Sequence, residues 1–265
     1  MGAARAAWRF LRLMAASFYH LVRLVVGPDT ARRGQAVCHS WARESLRILG
    51  VEVTVEGAVP GIACLLAANH RSYVDIPAIA ASVPVAFLAK EEVASWPLFG
   101  PGARRIGCVF VRRSCAESRN RAVHDLRTRL TDRVSMVVFP EGTTTAGPGV
   151  GRFRPGAFRL AASGGFPVVP VAIRYAHTED AWTGNDTFVR HFLDRFAHPR
   201  MSVQLAFGPI LAGSDPAAIS AAAERWIACR LQAWGEGLEQ PKEDGHEQEA
   251  LHGGVPASAR AVPAG

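Results

Sequence analysis

Over the first helical stretch of the chain the charged positions recur on one side and the large apolar ones on another. At about 100° per residue, Arg5, Arg9, Arg12 and Arg23 share a side, while Phe10, Met14, Phe18, Leu21 and Val25 cluster opposite. The pattern predicts a cationic amphipathic helix within residues 1–28, followed by a second helical stretch near 37–49. From residue 51 the period changes. VEVTVEG (51–57) alternates as a half-buried strand does, while the short apolar runs at 63–68, 85–89, 108–112, 135–139 and 168–173 read as strands buried on both faces. Helical stretches at 76–82, 96–106, 116–131 and 155–163 separate them, and a strand near 201–207 and a helix near 216–234 follow. Strands alternating with helices imply an α/β fold, a single domain with a mostly parallel mixed sheet covered by helices. The expected organisation is an N-terminal amphipathic, membrane-associating helical segment (1–50), a domain over 51–234, and a tail over 235–265. Rich in Gly, Pro, Glu and Ala, that tail cannot bury enough to order itself and is expected to be disordered.

Composition sharpens this outline. Of 265 residues, 49% are hydrophobic and 20% charged, enough for a sizeable core and against wholesale disorder. Uncharged runs such as 76–89 reach only 14 residues and contain Pro or Gly, whereas a spanning helix needs about 20 apolar residues. A polytopic membrane protein is therefore excluded. The 10 residues between Arg12 and Arg23 are too few to span, and an Arg stripe beside large apolar side chains suits a helix lying among lipid headgroups. The other reading is a helix packed on its own domain. Arg23 after the short apolar stretch, with no strong small-x-small cleavage site before it, argues against a secretory signal peptide. Five cysteines form no C-x-x-C pair, so neither a zinc cluster nor a disulfide scaffold is suggested, and a reducing, cytoplasmic setting fits. Residues 1–50 hold eight Arg against Asp29 and Glu44, and that basic end points to an anionic partner: a membrane surface, a phosphorylated substrate or nucleic acid.

Candidate chemistry gathers where strands end. Asn69-His70-Arg71-Ser72-Tyr73-Val74-Asp75 directly follows the run ACLLAA, which sets His70 beyond the carboxyl end of a buried strand, where ligands of open α/β sheets collect. On a continuous helix His70 and Asp75 would stand about 140° apart. They meet only if His70 sits on a loop and Asp75 opens a helix, a start that Pro77 supports. Two readings stand at this point. Either the imidazole accepts a hydroxyl proton while the carboxylate fixes its tautomer, or Asp75 caps the helix and His70 is an ordinary loop histidine. After the strand SMVV comes Phe139-Pro140-Glu141-Gly142-Thr143-Thr144-Thr145, either a substrate-binding turn whose threonines offer donors to an anion or a plain strand end. GCVFVRR ends in two guanidiniums, of which Arg113 suits a bidentate grip on a phosphate. Lys90 and Arg154 extend a basic ring at strand ends, although each alone also fits a solvated surface charge. No G-x-x-x-x-G-K-[ST] and no strand-G-x-G-x-x-G-helix order occurs, so nucleotide hydrolysis is unsupported.

Taken in order, NHRSYVD, GCVFVRR, FPEGT and VVPVAI resemble the blocks of the glycerolipid acyltransferase family that includes 1-acyl-sn-glycerol-3-phosphate acyltransferases. The resemblance implies that His70 deprotonates an acceptor hydroxyl, which attacks a thioester, while Asp75 holds the imidazole. It also implies that Arg113, Glu141, Gly142 and Thr143 help to bind the acceptor's polar head. Asn69 of the first block, and Lys90 and Arg154 by charge and position, join that substrate-binding set. The expected acceptor is 1-acyl-sn-glycerol-3-phosphate, giving phosphatidate, with acyl carrier protein or coenzyme A as thioester co-substrate and no metal or other cofactor. Arg112 stands where many relatives carry an acidic residue, and WPLFG (96–100) and residues 181–186 are similar to relatives acting on lyso-ornithine lipid, which is the alternative acceptor. The implied partners are a membrane lipid and a membrane surface rather than nucleic acid, at the cytoplasmic face of an inner membrane, in a monotopic arrangement. Outside this class stand a peripheral lipid-binding protein without turnover and a metal-dependent phosphoesterase ligating through His70, Asp75 and Glu141.

Overall fold

The computed structural model describes residues 2–147, 149–183 and 186–235, so the tail expected beyond Gly235 lies outside the described residues. Two helices lead the chain, α1 (Gly2–Val26) and α2 (Ala31–Leu49). The Thr30 hydroxyl caps α2, and Gly50, at a φ of 72° that favours glycine, ends it by donating to the Leu46 and Arg47 carbonyls. There follow β1 (Val51–Glu56), β2 (Leu65–Ala68), α3 (Asp75–Ala80), β3 (Ala86–Lys90), α4 (Phe99–Ile106), β4 (Val109–Val111), α5 (Ala116–Thr131) and β5 (Met136–Val138). The order closes with α6 (Gly156–Gly164), β6 (Val168–Tyr175), α7 (Phe188–Phe196), β7 (Met201–Phe207) and α8 (Pro216–Ala233).

The strands form one seven-stranded sheet in the order β1-β7-β6-β2-β5-β3-β4. From β6 to β4 all neighbours are parallel; β7 is antiparallel to β6, and β1 is parallel to β7. This is the mostly parallel mixed sheet that the alternating pattern predicts. Leu66 and Ala68 of β2 enter one apolar cluster with α1, α2, α3 and α7, whereas Leu65 and Ala67 enter another with α5, α6 and α8. With apolar side chains required on both faces, the strand reads as a continuous run rather than an alternation.

Two elements depart from the sequence expectation. The stretch 96–106 does not start as a helix: a 3₁₀ turn covers Glu91–Ser95, Trp96 before Pro97 is extended, and α4 begins only at Phe99. Helix α7 has no counterpart in the predicted elements. Its nine residues are too short for a strong period, and its place depends on burying Phe192 and Phe196 against α1 and the sheet.

The first helix also differs from its predicted two-sided form. Ala6, Leu13 and Ala16 join the main core, the Trp41 indole donates to Ser17 Oγ at 2.9 Å, and His20 Nε2 meets Glu44 at 2.9 Å. Arg5 and Arg9, expected among headgroups, instead donate to carbonyls around the C-terminus of α7: Arg5 to Ala197, and Arg9 to Phe196, His198 and Pro199, at 2.6–3.1 Å. Guanidiniums placed there satisfy orphan carbonyls and face the negative end of that helix. Met14 packs on the body and Phe10, though partly exposed, meets Phe192 edge-on, while Trp8, Leu11, Phe18, Tyr19, Val22 and Val25 remain exposed. Among the described residues no helix is long and apolar enough to cross a membrane.

One side chain ties the sheet to the site. Asn69, fully buried just past β2, donates to the Ile173 carbonyl at 2.9 Å and accepts from the Ile173 amide at 2.8 Å, extending the β2–β6 ladder by one rung. Asn69→Ala is expected to cost about 2–6 kcal/mol, roughly 1–3 for each of the two peptide groups left unpaired. It should appear as a lower urea midpoint with an unchanged slope; a midpoint equal to that of the unaltered chain would show that the rung adds nothing.

Candidate active site

The carboxyl ends of the parallel strands supply the site: His70 stands two residues past β2, Arg113 two past β4 and Glu141 three past β5, while Lys90 and Tyr175 end β3 and β6. His70 and Asp75 meet as the strand-to-helix turn predicts, with Nδ1 2.7 Å from Asp75 Oδ2. Asp75 is the first residue of α3, and the cap position belongs to Val74. Its carboxylate points back into the turn instead of capping the helix. Oδ2 also accepts from the Arg71 and Ser72 amides at 2.7 and 3.0 Å, and Oδ1 accepts from the Tyr175 hydroxyl at 2.6 Å. The carboxylate is 0% exposed, and a buried anion persists only when such donors replace water. An acceptor-only partner makes His70 Nδ1 the donor, which leaves Nε2 with its lone pair on the one-fifth of the side chain that is exposed. Phe139 stacks on the imidazole at 3.9 Å between ring centres and 17° between planes, fixing its tilt.

Glu141 is buried and faces inward. Oε1 accepts from the His70 amide at 2.8 Å; Oε2 accepts from the Gly151 amide at 2.9 Å and the Thr145 hydroxyl at 3.1 Å. Thr145 N donates in turn to the His70 carbonyl at 2.9 Å. From the other side the buried Arg71 guanidinium donates to the carbonyls of Thr145, Gly147 and Gly149 at 2.7–3.0 Å. The loop after β5 and the loop after β2 are thus one hydrogen-bonded unit. Expected as a head-group ligand, Glu141 acts in this structure as its clamp, and Asn69 is likewise turned into the sheet.

The cations gather at the rim. Arg113 donates to the Gly142 carbonyl, and a Cβ at Gly142, whose φ is 82°, would stand 2.6 Å from Arg154 Nε. Burial, and then the neighbouring Arg154 guanidinium, lower the pKa of Arg113, as expected of two cations crowded around one glycine. Arg112 turns away to pair with Glu91 at 2.5 Å. Lys90 and Thr143 are exposed, Lys90 beside Glu91 and Glu92. Gly184 and Asn185 of the loop 181–186 lie outside the described residues. His70, Asp75 and Glu141 do not converge as a ligand set, since both carboxylates spend their oxygens on backbone and side-chain donors. Among the described residues no group of three His, Cys, Asp or Glu side chains could hold a metal ion.

Sequence reasoning gave no role to Phe139, Arg71 or Tyr175, and it read Thr145 as a donor to an anion, whereas its hydroxyl donates to Glu141. Only Tyr175 had a usable signal: by strand alternation it shares the face of Val169, Val171 and Ile173, the face that α3 covers. Behind the dyad lies a second polar group. Tyr73 OH approaches His191 Nδ1 at 3.1 Å, while His191 Nε2 faces the Ala181 carbonyl at 3.2 Å. Burial lowers the His191 pKa, which favours the neutral ring that accepts from Tyr73 and donates to Ala181.

A family model described as "Acyltransferase" matches residues 50–174. The chain is 33% identical to the lyso-ornithine lipid O-acyltransferase of Pseudomonas aeruginosa over 190 residues, covering 68% of this chain and 72% of that protein. It is 40% identical to the 1-acyl-sn-glycerol-3-phosphate acyltransferase of Neisseria gonorrhoeae over 114 residues, 42% of this chain and 44% of that one. The crystal structure of the 1-acyl-sn-glycerophosphate acyltransferase of Thermotoga maritima superposes with a TM-score of 0.64 at 21% identity, covering 86% of this chain and 98% of that one, and so shares the fold.

The clamp generates a prediction of its own. Glu141→Gln keeps the volume but sets an amide NH₂ against N–H and O–H donors, so one of the two loops must let go. With about 1–3 kcal/mol per orphaned group, amide hydrogen exchange at His70 and Gly151 should accelerate roughly 10–100-fold while β2 and β5 stay protected. Unchanged exchange at both amides would show that the carboxylate does not hold the loops together.

Proposed function

The chain belongs to the acyltransferase family that includes lysophospholipid and 1-acylglycerol-3-phosphate acyltransferases, and from that premise we propose that it acylates the free hydroxyl of lyso-ornithine lipid at a membrane surface. The observation that carries the chemistry is the His70–Asp75 pair, with Nδ1 committed to the carboxylate and Nε2 turned outward. The acceptor hydroxyl gives its proton to Nε2 as its oxygen attacks the thioester carbonyl; Asp75 stabilises the imidazolium. Collapse of the tetrahedral intermediate breaks the carbon–sulfur bond, and the imidazolium returns the proton to the departing thiolate. The donor is a thioester on acyl carrier protein or coenzyme A, and the chain's own residues suffice without a metal or redox group. Arg113 and Arg154, crowded around Gly142, hold the carboxylate of the acceptor head, with Thr143 and Lys90 at the outer rim. An anion between them relieves their mutual repulsion.

The choice of acceptor reverses the order that the sequence motifs suggest. Likeness to a lyso-ornithine lipid O-acyltransferase runs over 72% of that protein, whereas likeness to a 1-acyl-sn-glycerol-3-phosphate acyltransferase of higher identity stops at 44%. Lysophosphatidate remains the second reading, favoured by the identity over those 114 residues. Purified protein should transfer labelled acyl chains from a thioester to lyso-ornithine lipid with kcat/KM at least about tenfold above that for lysophosphatidate; the opposite ratio would move the acceptor to the phosphate lipid. His70→Ala should lose about 10²–10⁴-fold in turnover, and a folded variant of near-normal rate would sink the mechanism.

Membrane residence is proposed on the outer face of α1. Trp8, Leu11, Phe18, Tyr19, Val22 and Val25 are exposed there with Arg12 and Arg23 alongside, and α7, packed beside α1, exposes Val189 and Leu193. A lyso-lipid acceptor resides in the same membrane, whose cytoplasmic leaflet the site would address. Each large side chain transferred from water into the interface region contributes on the order of 1 kcal/mol or more. The triple variant Trp8→Ser, Leu11→Ser, Phe18→Ser should therefore float with anionic phospholipid vesicles roughly 100-fold less well while remaining folded. Undiminished flotation would place the membrane contact elsewhere.

A further inference from the structure

Tyr175 closes β6, on the face covered by α3, and its hydroxyl lies 2.6 Å from Asp75 Oδ1. Every other donor to that carboxylate (His70 Nδ1, and the Arg71 and Ser72 amides) uses Oδ2. Among the described residues Tyr175 is thus the only donor to the second oxygen of a carboxylate with no contact to solvent. We propose that Tyr175 is a positioning residue for acyl transfer: its hydroxyl occupies the second oxygen of the Asp75 carboxylate and thereby governs how readily His70 accepts the acceptor's proton. The inference rests on the reading of His70 as the general base.

The direction follows from the charges around the phenol. Asp75 faces it from α3 and Asp180 from the turn after β6, Ser72 faces it from the catalytic loop, and its register partner on β7 is the apolar Val203. Burial first, then the nearby Asp75 charge, raise the Tyr175 pKa well above its ordinary value, so it remains a donor throughout the useful pH range. Removing the hydroxyl leaves Oδ1 buried with no donor. The anion is then less stabilised, and the His70–Asp75 pair holds its proton more tightly, whichever of the two atoms carries it. Less of the enzyme is in the proton-accepting form on the acid side, while at high pH the base is intact.

The full chain with Tyr175→Phe should show the acid limb of its pH–rate profile displaced upward by about one pH unit, a tenfold change in the protonation equilibrium. The KM for either substrate should be unchanged, with the rate approaching that of the unaltered enzyme at high pH. The His70 ring titration, followed by ¹⁵N NMR without substrate, should move by the same amount. Placing 3-fluorotyrosine at position 175, a stronger donor of nearly the same shape, should move limb and titration the other way and keeps the test open if the Phe variant folds poorly. A uniform loss of rate at all pH values, or an unmoved His70 titration in both variants, would reduce Tyr175 to a packing residue and overturn the proposal. Because the NMR titration needs no turnover, an enzyme inactive on every acceptor would fail the acyl-transfer reading while the Tyr175 test still returned its answer.

Discussion

A carboxylate with no solvent contact sits at the centre of this protein, and much of the surrounding backbone is arranged to make that possible. Removing an ion from water costs several kcal/mol unless donors replace the lost hydration. Asp75 finds four, two of them backbone amides within its own turn, one the ring it orients and one a phenol at the end of β6. The tight turn between β2 and α3 exists in the form that presents those amides. The same turn leaves His70 on the rim with a single exposed nitrogen, so the burial of one residue defines the chemical state of its partner.

Glu141 repeats the device one strand over. Its oxygens bind the His70 and Gly151 amides and the Thr145 hydroxyl, while Arg71 grips the carbonyls of the same loop from beneath. Two anions and one cation, each holding several hydrogen bonds, thereby cross-link the loops after β2 and β5. Loops at sheet ends are usually the mobile parts of a fold; here polar networks hold them so that the His70 ring and the rim guanidiniums keep fixed relative positions. Arg113 and Arg154 are left close together around Gly142, an arrangement favourable chiefly when an anion joins them.

The leading helix divides its work among three faces. One packs on α2 and α7 through small and apolar side chains, and part of its arginine side completes the C-terminus of α7. The third face carries large apolar side chains into solvent with cations at its border. Because Phe188 of α7 and Trp182 of the loop before it join the aromatic group around Tyr73, the outer apolar surface and the turn that carries His70 share one packed unit.

By itself the sequence determined the order of strands and, α7 apart, of helices, the mostly parallel sheet, and the placement of His70, Arg113 and Glu141 at strand ends, because buried strands and amphipathic helices write their periods locally. It likewise determined that His70 and Asp75 could meet only across a loop-to-helix turn, a matter of spacing alone. Only the tertiary structure decided what each polar group touches. Glu141 and Asn69 carry the residue types of ligands but are consumed by the His70 and Ile173 backbones, and Arg5 and Arg9 lie in a membrane-like stripe but satisfy α7. Tyr175 is separated from Asp75 by 100 residues and stands in no motif with it. Such pairings depend on which buried donor is left over once the sheet has closed, a quantity set by three-dimensional satisfaction of hydrogen bonds that no window of neighbouring residues contains.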